Sequence, residues 1–436
     1  MSDTEDNKIR TEIEKLVENF CDLKFKKPSF IPGKTEIPAS GKVLGFDEIK
    51  NIVNASLDGW LTTGRFNSNF QITLAKYLGV KHLITANSGS SANLIAFSSL
   101  TSHLHKDKAI KPGDEVITVA AGFPTTINPI FQNAAVPVFI DVKIPTYNVD
   151  EKLVEAAITK KTKAIMLAHT LGNTFNVDKI VEICKKNNLW LVEDNCDALG
   201  TKYKGRFSGT FGDVATLSFY PAHHITMGEG GAVFTNNLKI KRVSESFRDW
   251  GRDCYCEPGK ENTCNKRFEW QLGKLPFGYD HKYIYSHIGF NMKITDMQAA
   301  CGLAQLNKLD IFIKKRKENF SYLKTNLKNL QDNLILPEEE RGAEPSWFGF
   351  PITLSKKCKI KRKDLINKLY EKKIGTRLLF SGNLTKQPAF VGKNFRVSSK
   401  LTNTDHIMEN TFWVGLYPGL GEEELSYVVK VIKDCF

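Results

Sequence analysis

Four of the nine cysteines in this 436-residue chain stand near one another or near a second group with chemical potential: Cys196, Cys254, Cys256 and Cys264. Fifty-seven residues separate the first two, one the next two and seven the last two. Four thiolates suit either zinc or an iron–sulfur cluster, and zinc sites usually use closer paired ligands than these. The spacing therefore leans towards iron and leaves zinc open. The segment from Arg252 to Gly259 is short and turn-rich, as a metal loop should be. Cys196 follows Asp194 by two residues, so the cysteines and the group that Asp194 serves must be neighbours in space. Cys21, Cys184, Cys301, Cys358 and Cys435 are scattered and read as packing residues.

Asp194 closes the apolar run LWLVEDN. Open α/β sheets bind ligands at the carboxyl ends of their strands, and a carboxylate there can keep a pyridinium nitrogen protonated so that a vitamin B6 ring serves as an electron sink. An ordinary loop aspartate fits the same pattern. Glu193 is expected to point the other way along the strand. Upstream, Ser88-Gly89-Ser90-Ser91-Ala92-Asn93 follows the run HLITAN and opens a helical pattern. Small residues in such a turn let backbone N–H groups approach a phosphate at the positive end of a helix, although a plain helix cap reads the same way. A third stretch, Ser218-Phe219-Tyr220-Pro221-Ala222-His223-His224, runs into Gly228-Glu229-Gly230-Gly231.

These residues need a frame. Between about residues 45 and 240 the apolar runs HLITAN, DEVITVAA, VPVFIDV, KAIMLAH and LWLVEDN alternate with helix-length segments such as VDKIVEICKKNN. That alternation predicts βα units around a mostly parallel, buried sheet. VATLSFY and GGAVFTN add two further strands. An N-terminal helix (IRTEIEKLVENF) with a Pro-bearing arm precedes them, residues 252–285 read as an irregular insertion, and ITDMQAACGLAQLNKLDIFIKKRKENF reads as helical. The expected organisation is an N-terminal helix and arm over 1–44, a large cofactor-binding domain over 45–304 that includes the cysteine loop, and a smaller α/β domain over 305–436.

The series from Ser88-Gly89-Ser90 through Phe123, Asp194, SFYPAHH and GEGG to Gly289-Phe290-Asn291 resembles the sugar aminotransferase and dehydratase family of fold-type I vitamin B6 enzymes, over about residues 40–430. The family's aminotransferases carry a lysine where this chain has His223, and an imidazole cannot form the Schiff base that a lysine amine forms. The resemblance thus implies pyridoxamine 5'-phosphate, or its pyridoxal form, held noncovalently, with His223 as general base and Tyr220 assisting. It further implies Phe123 stacked on the pyridine ring, Asp194 at its nitrogen, Gly89, Ser90 and Ser218 at its phosphate, and Asn291 reaching the phosphate of the other subunit of a homodimer. His224 is an alternative base.

Within the family, SLDGWLTTGRFN, VAAGFPTTINP, FRDWGRDCYC and ITDMQAACGLAQL are similar to the branch that removes the carbon-3 hydroxyl of CDP-4-keto-6-deoxyglucose on the way to 3,6-dideoxyhexoses of the lipopolysaccharide O-antigen. That likeness implies a hydro-lyase with a 2Fe-2S cluster on Cys196, Cys254, Cys256 and Cys264, fed by an NADH-dependent flavin and iron–sulfur reductase. A cluster-free 3-dehydratase acting on a GDP-sugar, an aminotransferase, or an inactive protein stabilised by zinc are the competing readings.

Composition sets outer bounds. With 41% hydrophobic residues the chain can bury a sizeable core, and its formal charge of +13 is spread along the sequence with no basic run interleaved with aromatics, so nucleic acid is not an expected partner. The acidic, polar start lacks the pattern of an export signal, and no run of about 18 apolar residues occurs, so a cytoplasmic location without a membrane span is expected.

Overall fold

The apolar runs become β1 (His82–Ala86), β2 (Glu115–Val119), β3 (Val136–Ile140), β4 (Thr162–Ala168) and β5 (Trp190–Asp194) in the computed structural model, which describes residues 3–256 and 258–436. After them come β6 (Lys202–Tyr203), β7 (Arg206–Phe207), β8 (Val214–Ser218) and β9 (Gly231–Thr235). The main sheet has the order β1-β9-β8-β5-β4-β2-β3-β14, where β14 is Arg396–Val397. The pairs from β8 to β14 are parallel, and β9 runs antiparallel to both β8 and β1. The chain therefore has the fold-type I, mostly parallel α/β architecture expected of it.

Every residue of β2, β5, β8 and β9 is buried, which is why these strands read as continuous apolar runs without polar alternation. Successive side chains still part to opposite faces: Val116 and Phe139 pack with Ile95 and Ala96, whereas Ile117 and Val138 pack with Phe350 and Ile352. That second core joins the main sheet to a four-stranded antiparallel sheet built from β10 (Leu334–Ile335), β12 (Gly349–Leu354), β13 (Thr376–Leu378) and β15 (Thr411–Gly415). A small ladder of β11 (Ala343–Glu344) with β6 and β7 lies between. Arg396, on the edge strand β14, donates through Nε and Nη2 to the two carboxylate oxygens of Glu115 at 2.9 and 2.8 Å. This ties the C-terminal third to the main sheet.

Five helices bear on the site or its surroundings: α1 (Asp3–Lys24), α2 (Phe46–Leu57), α3 (Arg65–Leu78), α4 (Gly89–Ser99) and α5 (Pro124–Gln132). The long helical run near residue 300 divides into Asp296–Leu306 and Leu309–Leu327. Thr295 caps the first of these with a reciprocal Gln298 bond, and the break at Asn307–Lys308 turns the second towards the β12 end of the C-terminal sheet. The described residues of 252–285 form turns, a 3-10 segment (His281–Tyr283) and a bridge between Arg252 and Tyr285. Among the described residues no helix is long and apolar enough to cross a membrane.

Candidate active site

Asp194 ends β5 with its carboxylate 5% exposed. Its Oδ2 accepts from Asn93 Nδ2 at 2.8 Å and from Thr126 Oγ1 at 2.7 Å, and its Oδ1 accepts from the Cys196 N–H at 3.1 Å. Three elements thus aim one carboxylate: α4 supplies Asn93, α5 supplies Thr126, and the strand end supplies the acid. Thr216 on β8 extends the network by donating to Asn93 Oδ1 at 2.7 Å. Glu193 points to the other face, as the strand period requires. It accepts from His169 at 2.9 Å and from the N–H groups of Gly209, Phe211 and Gly212, so it latches that loop and takes no part in the crevice.

Gly89 opens α4, and Ser88 caps it by accepting from the Ser91 N–H at 3.0 Å. A Cβ on Gly89 would lie 2.4 Å from the Ser218 Cβ and 2.7 Å from its Oγ. Glycine is required because the positive end of the helix and the end of β8 close on each other there. The result is a cradle with first-turn N–H groups on one wall and the Ser218 hydroxyl on the other, the donor set that a phosphate needs. Ser90 is exposed beside it. Phe123 stands before α5, 51% exposed, with its ring edge-on to Phe380. A half-open aromatic face across from a buried, hydrogen-bonded carboxylate suits a flat heteroaromatic ring. The residues present therefore fit a phosphorylated pyridine cofactor.

His223 lies in the turn after β8, where its N–H donates to the Tyr220 carbonyl at 2.9 Å. Its side chain is 14% exposed, and Nδ1 stands 3.4 Å from Asp197 Oδ1 without hydrogen-bond geometry. Burial pushes the imidazole down to about 4, helped by the Arg316 charge and opposed by Asp194. Burial and the nearby Asp194 push Asp197 up to about 8. Tyr220 is 52% exposed at the rim. His224 turns inward, where Nε2 meets the Ser346 carbonyl at 2.7 Å and burial drives its pKa well down. Of the two histidines, His223 is the one with its Nδ1 3.4 Å from Asp197 Oδ1.

Asn291 is exposed, pairs by its backbone with Asp249, and accepts from Lys293 Nζ at 2.7 Å. No described contact of its side chain reaches this chain's own cradle, although the adjacent Met292 carbonyl accepts from the Asn87 N–H at 2.8 Å.

The cysteines divide. Cys254, Cys256 and Cys264 line one small pocket together with His281. Thr263 Oγ1 lies 3.0 Å from Cys256 Sγ and pulls that thiol's pKa down against the effect of burial. Cys196 is not among the residues of that pocket. Its sulfur lies 4.0 Å from Thr216 Oγ1, and burial together with Asp194 raises its pKa well above the usual thiol value. Among the described residues no group of three or more His, Cys, Asp or Glu side chains is arranged to hold a metal ion. In this conformation the four cysteines do not form the joint thiolate set that a cluster requires, in contrast to what their spacing leads one to expect.

Sequence reasoning passed over Thr126, Asp197, Arg316 and Phe348 as functional residues. Asp197 had a signal, since it sits three residues beyond Asp194 in the same loop. So did Thr126, three residues beyond Phe123 in the run VAAGFPTTINP, whereas Arg316 and Phe348 had none, because each arrives from a distant element.

The family model described as the DegT/DnrJ/EryC1/StrS aminotransferase family matches residues 44–433. The chain belongs to this family. It is 58% identical over 430 residues to the lipopolysaccharide biosynthesis protein RfbH of Salmonella typhimurium (strain LT2), covering 99% of this chain and 98% of that one. It is 51% identical over 409 residues to the dTDP-4-dehydro-2,6-dideoxy-D-glucose 3-dehydratase of Saccharopolyspora spinosa, covering 94% and 88%. Among solved structures, an E. coli GDP-4-keto-6-deoxy-D-mannose-3-dehydratase with bound hydrated PLP superposes with a TM-score of 0.81 at 28% identity, covering 91% of this chain and 99% of that one. Its relatives are thus nucleotide-sugar 3-dehydratases of a PLP-dependent family, and a dehydratase with a vitamin B6 cofactor is the kind of enzyme they support here.

Proposed function

We propose that this chain removes the hydroxyl at carbon 3 of CDP-4-keto-6-deoxyglucose, with pyridoxamine 5'-phosphate bound noncovalently. The observation that carries the reading is His223, an imidazole beside the Asp194 crevice at the position where the family's aminotransferases use a lysine. When bound, the cofactor supplies an amine that condenses with a sugar ketone and a ring that accepts an electron pair.

The chain's own residues do the rest. Gly89, Ser90 and Ser218 bind the phosphate, and Phe123 covers one ring face. Asp194, fixed by Asn93 and Thr126, holds a proton on the ring nitrogen. His223 is kept neutral by burial and takes the proton from the cofactor's methylene carbon. Tyr220 at the rim assists departure of the hydroxyl. Asn291 completes the phosphate site of the second subunit in a cytoplasmic homodimer.

The fuller reading includes a 2Fe-2S cluster and an NADH-dependent flavin and iron–sulfur reductase. Its support is the resemblance and the shared pocket of Cys254, Cys256 and Cys264. No step is derived through the cluster, because Cys196 stands outside that pocket. Iron and sulfide analysis with a visible spectrum of anaerobically purified protein tests it. Red-brown absorption with two irons per chain is expected, and stoichiometric zinc or metal-free thiols would overturn it.

Incubation with CDP-4-keto-6-deoxyglucose, pyridoxamine phosphate and a reductase tests the reaction, and loss of the carbon-3 hydroxyl is the expected result. Transfer of an amino group to the sugar instead, or a borohydride-trapped lysine adduct, would assign the chain to the aminotransferases.

A further inference from the structure

Arg316 is 1% exposed and stands on the helix Leu309–Leu327, outside every segment assigned to the site. Among the described residues no carboxylate pairs with it within 4.0 Å. Its donors go to main-chain carbonyls: Nη1 donates to the Trp347 carbonyl at 3.3 Å and to that of Phe348 at 3.0 Å, and Nη2 donates to the His223 carbonyl at 3.4 Å. Nε is buried without a partner. A guanidinium carries five N–H donors in a rigid planar fork, a geometry that an ammonium group cannot reproduce.

The carbonyls it joins belong to two segments that are also tied by His224 Nε2 at the Ser346 carbonyl, 2.7 Å. One is the turn holding His223. The other is the stretch before β12, where Phe348 is fixed by its N–H to the Leu171 carbonyl at 2.8 Å and by its ring against Trp413, 5.5 Å between centroids. The His223 imidazole lies on that Phe348 ring, 5.2 Å between centroids at 39°. The guanidinium carbon lies 5.9 Å from the same ring. One buried cation thus holds the backbone of the imidazole and the backbone of the ring that supports it.

We infer that Arg316 is a positioning residue for His223, fixing the imidazole against Phe348 by bridging the main-chain carbonyls of both. The inference rests on the reading of His223 as the base. Burial lowers the guanidinium to about 10, so it remains charged at neutral pH, and its charge also helps keep His223 neutral. The charged groups around the imidazole are Asp194 and Arg316, and the titratable Asp197 faces its Nδ1. Because Arg316 bonds to none of Gly89, Ser90, Phe123, Asp194 or Ser218, its loss should leave cofactor binding alone and move the base.

The test compares Arg316→Lys, Arg316→Met, Phe348→Leu and His223→Asn with the unaltered enzyme. It measures hydrogen–deuterium exchange at the methylene carbon of pyridoxamine phosphate in the presence of CDP-4-keto-6-deoxyglucose, together with cofactor affinity, kcat and KM. Displacing a reacting group by about 1 Å costs roughly 100-fold. Both Arg316 variants are therefore expected to lose about 10- to 100-fold in exchange and in kcat, with cofactor affinity and KM within about threefold. Phe348→Leu, which removes the supporting ring and keeps the Arg316 bonds, should show the same split, and it decides the matter if the Arg316 variants do not fold. Wild-type exchange in Arg316→Lys, loss of rate only in proportion to lost cofactor, or wild-type exchange in Phe348→Leu where the Arg316 variants do not fold would each overturn the inference. Wild-type exchange in His223→Asn would instead overturn the base reading itself.

Discussion

At position 223 the chain presents an imidazole that is neutral at physiological pH, because burial outweighs the pull of Asp194 and holds its pKa at about 4. A neutral imidazole accepts a proton, and no amine is present there to form an imine with the cofactor. His223→Asn is therefore expected to lower kcat by about 100- to 10,000-fold while cofactor binding persists, measured by steady-state assay and by absorbance of the bound cofactor. Asp194→Ala should behave differently. It removes the acceptor that Asn93 and Thr126 hold, so equilibrium dialysis is expected to show weakened cofactor binding as well as lost turnover. Asp194 stood out in the sequence by its place at the end of an apolar strand run, and His223, Tyr220 and Ser218 through the family resemblance of the SFYPAHH run. The contacts of the partners that aim them were not legible there, since Thr126 and Phe348 are set only when α5 and the segment before β12 pack against the sheet.

Among elements, the closest approach in the site is that of α4 to the end of β8 at Gly89. A methyl group there would fall 2.4 Å from the Ser218 Cβ. Gly89→Ala must push helix and strand apart, and overpacking of this kind costs about 1–3 kcal/mol. The expected outcome is a lower melting temperature together with weaker phosphate binding, read by calorimetry and by titration with pyridoxamine phosphate. A Ser90→Ala change at the exposed neighbour should leave the melting temperature unchanged. The Gly-Ser turn was visible in the sequence, but as either a cap or a phosphate site. In the structure Ser88 caps, and Ser218 closes on the capped end. The expected helix after Ile294 divides at Asn307–Lys308, and that division lets the second half carry Arg316 to the His223 turn.

Across the whole molecule, several histidines are folded in their neutral form. His223 and His287 are pushed down to about 4, and His224 well below its ordinary value, with burial the first cause in each. Unfolding releases them to an ordinary value near 6.5, so between pH 6.5 and 4 the unfolded chain binds more protons and stability falls as pH falls. His223 alone contributes on the order of 3 kcal/mol across that window. Asp197 acts in the opposite sense, because its pKa is raised to about 8, and so does Asp213, but the lowered histidines, which also include His82 and His105, outnumber them. Denaturant unfolding should therefore show lower stability at pH 5 than at pH 7, and an unchanged or higher value at pH 5 would contradict this account.

The sequence by itself determined the sheet and the chemistry at its edge. Fully buried parallel strands must be apolar throughout, so they announce themselves, and the residue types at their ends follow directly from the letters. It also supplied four cysteines at a telling spacing. Only the tertiary structure decided what meets what: that Cys254, Cys256 and Cys264 share a pocket from which Cys196 is absent, that His224 turns inward while His223 faces Asp197, and that a buried arginine from a distant helix donates to the His223 carbonyl. Strand patterning is local and written in consecutive residues, whereas these juxtapositions depend on packing between different segments, as far apart as His224 and Ser346.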